Sequence, residues 1–281
     1  MSQLWQQPPL NAASNVIVNY NQMLSQEWDY LRQKALIPLE TYLTTGDQQV
    51  VFSKKEYMAI YGKVYELCIQ QIEGFQAELY DRYTKSIRAY ITQQVLPRLE
   101  PLHGQDLLKE LELRWANHLV MVKWMQRFFQ YLDRFYVEMS SIASLTEQGF
   151  AQFKAEVFGR LLNKITDAVL CEVQNDRNNY PVDLDLLKKV VAIYTFLSTD
   201  KIPGVSSNCQ QELEDKLLQA SRTFFQSKAN QMIQTYTLVD YLQQADLLLQ
   251  SEKARLERCL GWPSFDSKLL SVFQEEILMK Y

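Results

Sequence analysis

The stretch KKEYMAIYGKVYELCIQQ, Lys54 to Gln71, decides how the rest of this sequence is read. At about 100° per residue, Tyr57, Ile60, Tyr61, Val64, Leu67, Cys68 and Ile72 fall on one stripe of a helix, and Met58 and Tyr65 widen it to roughly 180°. A helix that buries one side in a core needs an apolar arc of only about 100°. The surplus edge, Met58, Tyr61 and Tyr65, is therefore expected to meet a partner. Ser53, with Glu56 three residues later, has the pattern of a capping box and sets the start of this helix.

A second stretch has the same character. In WMQRFFQYLDRFYV, Trp124 to Val137, the wheel gathers Val122, Met125, Phe128, Phe129, Leu132 and Phe135 into a buried arc. Trp124 and Tyr131 stand at its border, against Lys123, Arg127 and Arg134. Tyr, Trp, Met and Arg are enriched where proteins meet proteins. Aromatic residues at helical spacing also serve simply as core, so both readings are carried to the structure.

Working outward, residues 1 to about 24 are rich in Gln, Asn, Pro and Ser and read as a loose polar tail. From Glu27, Trp28, Leu31, Ala35, Leu39 and Leu43 recur at helical spacing until TTGDQQ. A third helix is expected from about Ala77 to Val95, with Pro97 and Pro101 bracketing the turn after it. Gln105 to Met139 holds neither Gly nor Pro; two helices with a bend near Trp115–His118 are favoured over one long one. The later part of the chain predicts helices from Thr146 to Asp176, within VDLDLLKKVVAIYTFLS, from Gln210 to Gln231, from Leu238 to Cys259, and from Lys268 to Met279, separated by NDRNNYPVD, TDKIPGVSSN and GWPSFDS. Two sets of roughly five helices suggest an all-α rod of stacked repeats.

Composition agrees and narrows the function classes. Among 281 residues there are only 8 Gly and 8 Pro, which favours helices throughout. The formal charge of −4 makes no case for nucleic acid. No apolar run approaches the roughly 20 residues that span a bilayer, VVAIYTFL (Val190–Leu197) being typical, so no membrane role is expected. Cys68, Cys171, Cys209 and Cys259 lack paired spacing, which speaks against a zinc ribbon or a disulfide framework and suits a reducing, intracellular compartment. His103, in a turn, and His118, at a helix boundary, have no companion at metal-binding spacing. There is no Gly-rich phosphate loop and no nucleophile elbow, and Glu110 with Glu112, or Glu275 with Glu276, read as solvated helix faces. No catalysis, metal or cofactor is expected, and Cys68 reads as inert packing.

Five ordered segments resemble the N-terminal region of cullins, the scaffolds of multisubunit ubiquitin ligases. They are YMAIYGKVYELC (Tyr57 to Cys68), ELYDRYTKSIRAYI (Glu78 to Ile91), LRWANHLVMVKWMQRFFQYLDRFYV (Leu113 to Val137), FGRLLNKITDAVLCEVQNDRN (Phe158 to Asn178) and the run from Ala220 to Leu260. The resemblance implies an elongated, curved stalk of five-helix cullin repeats, one over 25–143 and a second over 144–281. It further implies that Tyr57, Met58, Tyr61 and Tyr65 of the second helix, with Tyr131 and Arg134 of the fifth, bind an adaptor carrying the substrate receptor. The pattern is most like the branch that binds a Skp-family adaptor with its F-box protein; BTB-fold adaptors use a related surface. Cullins usually continue into a region that holds the RING protein, and this sequence stops at Tyr281, so RING binding is not expected of it. A cytoplasmic and nuclear location is implied. Some vesicle-tethering rods share the repeat architecture, and a basic lipid-binding cluster, not found in VFQEEILMKY, would mark that alternative.

Overall fold

A computed structural model describes residues 23–45, 52–70, 74–199, 202, 208–262 and 265–279. The expected polar tail lies almost wholly outside them, as do Ile72 and most of TDKIPGVSSN. Among the described residues there are ten helical rods and no strand. They are α1 (23–45), α2 (Lys54–Cys68), α3 (75–99), α4 (Gly104–Phe128), α5 (130–140), α6 (145–177), α7 (Leu184–Leu197), α8 (Cys209–Thr235), α9 (Leu238–Leu260) and α10 (265–278).

Five of the rods contain one wide turn, in which each N–H reaches five residues back: Arg32–Leu36, Ile91–Val95, Asp133–Val137, Lys154–Phe158 and Gln274–Leu278. The wide turns of α1 and α6 sit in matching apolar frames. Trp28, Leu31, Ala35, Leu36 and Leu39 correspond in order and spacing to Phe150, Phe153, Val157, Phe158 and Leu161. This is a repeat signal in the residues themselves, where the count of helices only suggested one.

Contacts divide the chain into two units, Met1–Tyr83 with Val120–Leu145, and Thr84–Leu119 with Thr146–Tyr281. The first is built on Leu31, Leu39, Ile60, Val64, Leu79 and Phe129, all nearly inaccessible. Tyr80 and Tyr83 of α3 donate their hydroxyls to the carbonyls of Ala143 (2.7 Å) and Leu145 (3.0 Å), and Asp133 accepts from the Leu145 N–H (3.0 Å). These bonds fix the end of α5 against α3.

The second unit carries an aromatic cluster in which Trp115 meets Phe153 edge-on at 5.0 Å and Phe150 meets Phe196 at 4.8 Å. It also holds a buried charge network. Arg177 donates to Glu252 (2.9 Å) and Ser221 (2.8 Å), while Arg255 donates to the second Glu252 oxygen (2.7 Å) and joins Asp176. Glu252 is wholly buried, so its charge is tolerable only because both oxygens are paired.

Several expectations are corrected. The third helix continues through Pro97 to Leu99. The wide turn directly ahead, where the Leu96 N–H bonds the Ile91 carbonyl, opens the backbone that a proline ring would otherwise strike. The break in Gln105–Met139 falls at Phe129 (φ −99°, ψ 15°), not at Trp115–His118, which lie inside unbroken α4. Phe129 is inserted between Trp28 (6.1 Å) and Tyr83 (5.4 Å), and seating that ring displaces the chain from helical geometry. The last helix begins at Phe265, earlier than Lys268. Glu276 is not solvated; it is buried against the Arg222 guanidinium at 2.9 Å.

His118 is the largest surprise. It is fully buried, not at a boundary, with Nε2 2.9 Å from the Gly149 carbonyl and Nδ1 without a partner among the described residues. Burial pushes its imidazole down to about 4, against the weaker upward pull of that hydrogen bond.

Candidate docking face

The first unit carries every residue singled out from the sequence for adaptor binding: Tyr57, Met58, Tyr61, Tyr65, Tyr131 and Arg134. The Ser53 hydroxyl accepts from the Glu56 N–H (3.2 Å) and the Glu56 carboxylate accepts from the Ser53 N–H (2.8 Å), a reciprocal cap that starts α2 at Lys54. The Ser53 hydroxyl also donates to that carboxylate (2.7 Å), and this bond together with the one from the Ser53 N–H holds the Glu56 carboxyl below its ordinary range. From that start the helix phase is fixed. Ile60, Val64, Leu67 and Cys68 turn inward, and burial pushes the Cys68 thiol up to about 12, which leaves it unreactive.

The opposite edge is open. Met58 is 54% exposed and Tyr65 40%, while Tyr57 and Tyr61 are half-buried. Tyr57 stacks on Tyr61 at 6.1 Å, and Tyr65 meets Tyr131 of α5 edge-on at 4.8 Å. Partial desolvation, with Tyr65, Cys68 and Tyr61 nearby, raises the Tyr131 phenol above its ordinary value. Arg134, three residues beyond Tyr131, is exposed in the wide turn of α5. The structure thus joins Tyr57 to Tyr61 and Tyr65 to Tyr131, and leaves Met58 and Arg134 standing out beside them.

Two residues that the helical wheel missed belong to the same surface. Phe135, assigned to the core from its spacing, is 52% exposed and lies 4.3 Å from Tyr131, ring centre to ring centre; Met139 is 84% exposed. The wheel failed here because α5 does not continue the phase of α4 past Phe129, and because Phe135 sits inside a wide turn. With Cys68, Gln76, Tyr131 and Tyr136, these two residues line a surface cleft of about 390 Å³. No signal in FFQYLDRFYV announces the break or the wide turn, so this part of the face was not legible.

The Cullin alpha solenoid domain matches residues 42–281 of the chain. The chain belongs to the cullin family. It is 33% identical over 259 residues to Cullin-1 of Oryza sativa subsp. japonica, covering 92% of this chain and 34% of that protein. Against Cullin-2 of Arabidopsis thaliana it is 30% identical over 258 residues, again 92% of this chain and 34% of the other. Cullin-like protein 3 of Arabidopsis thaliana is 26% identical over 227 residues, covering 81% of this chain and 86% of its own length. The chain thus spans about a third of the two longer relatives. Among the described residues no group of His, Cys, Asp and Glu could hold a metal ion, and no helix is long and apolar enough to cross a membrane.

Proposed function

We propose that this chain is the adaptor-binding part of a ubiquitin-ligase scaffold, acting without catalytic chemistry of its own. The observation that carries the proposal is the open aromatic edge. Met58, Tyr65, Tyr131, Phe135 and Met139 leave apolar surface exposed on two neighbouring helices whose inward sides are already filled. A Skp-family adaptor, bringing an F-box protein, is the partner the α2 pattern favours, with BTB-fold adaptors the related choice. In such an interface the exposed aromatic and Met side chains insert into an apolar groove, and truncating each costs about 2 kcal/mol or more of binding. The scaffold works in the cytoplasm and nucleus, where an epitope-tagged chain is expected to distribute.

Tyr61→Ala combined with Met58→Ala tests the reading. Capture of a purified Skp-family adaptor is expected to disappear while helical circular dichroism and the melting temperature stay nearly unchanged. Early melting of the double variant would assign those side chains to the core and remove the proposal.

A further inference from the structure

A second cleft lies next to the aromatic edge, in the same unit, and its chemistry differs. Phe52, Lys54, Tyr57, Trp124, Arg127 and Gln130 are among the residues that enclose about 600 Å³ between the start of α2 and the end of α4. The floor is a ring-on-ring platform. Phe52 meets Trp124 and Phe128 edge-on, both at 5.0 Å, and Tyr57 lies 6.1 Å from Phe128. Above this platform Arg127 rests its guanidinium on the Trp124 ring, 5.4 Å from its centre. Such stacking orients the cation yet leaves its N–H groups pointing outward for a planar acceptor.

The lining contains two cations, Lys54 and Arg127, and no carboxylate. Both cations are exposed, and among the described residues neither makes an ion pair. Some exposed cations elsewhere do find one, Arg88 with Glu156 and Lys189 with Glu112. Tyr57 lines this cleft and also stacks on Tyr61 of the docking edge, so an occupant of one surface reaches the other without a gap.

We propose that this cleft receives a carboxylate-bearing segment of the same partner that sits on the Tyr61–Tyr131 edge, making the docking surface polar at one end and greasy at the other. The inference rests on the adaptor reading and adds the partner's orientation: acidic residues face Lys54 and Arg127, apolar ones face Phe135 and Met139. A second consequence concerns rates. Charges at the margin of an interface act chiefly on encounter, and their effect is screened by salt.

The test measures association of the full chain with a purified Skp-family adaptor by stopped-flow. Lys54→Glu with Arg127→Glu is expected to slow association about tenfold at low salt, with the difference largely gone near 0.5 M salt. The same charge change placed at Lys188 and Lys189, in the second unit, is expected to have little effect. An unchanged rate for the first pair, or equal slowing by the second pair, overturns the inference. If capture still depends on Met58 and Tyr61 in that case, the docking proposal stands; if the unsubstituted chain captures no adaptor, both fall.

Discussion

Phe135 and His118 show how much one side chain decides. Phe135 is half-exposed beside Tyr131, so it contributes little to the core and, in the proposed docking, much to the partner's footprint. Phe135→Ala is expected to weaken adaptor binding by about 2 kcal/mol in a titration while leaving the melting temperature within a degree or two. His118 is the opposite case, an imidazole enclosed by aromatic rings with Phe153 at 4.8 Å. Its folded pKa of about 4 lies below the ordinary 6.5, so between those values the unfolded chain binds the extra proton. Stability contributed by the neutral ring is therefore complete above pH 6.5 and is lost as pH falls towards 4, by an amount of about 3 kcal/mol. His118→Gln keeps a donor for the Gly149 carbonyl but takes up no proton. Its urea midpoint is expected to fall less steeply than that of the unsubstituted chain across this window; parallel slopes would show that the ring does not carry the effect.

At the scale of the element, α2 is positioned by its cap and filled by its periodicity. Ser53→Ala removes the hydroxyl that accepts from the Glu56 N–H and donates to the Glu56 carboxylate, and is expected to cost about 1 kcal/mol, read from the urea midpoint. Faster amide exchange at Lys54 to Tyr57 would accompany the loss, because fraying begins where the free N–H groups are. The register of Met58, Tyr61 and Tyr65 was legible because it follows from a capping box and a 3.6-residue repeat, both local. α5 was not. Its phase is set by Phe129, whose ring is seated between Trp28 and Tyr83, residues far away in sequence. A wheel drawn straight through FFQYLDRFYV consequently put Phe135 inside.

At the scale of the whole molecule, the chain belongs to the cullin family and its described residues form helices and no strand, and the proposed docking on a protein partner predicts little attraction to lipid. With a formal charge of −4 and no described helix suited to a bilayer, the chain is expected to stay in the supernatant with anionic vesicles at physiological salt. Strong, salt-sensitive sedimentation would point instead to tethering. The sequence by itself determined the helical class, the order of the rods, the cap at Ser53 and the greasy edge of α2, since each depends on residues within a few turns of one another. Only the tertiary structure decided that Phe135 and Met139 join that edge, that Lys54 and Arg127 share a cleft with Trp124, and that His118 is sealed among aromatic rings. Those outcomes depend on which distant side chains compete for the same space, and spacing along a single helix carries no record of that competition.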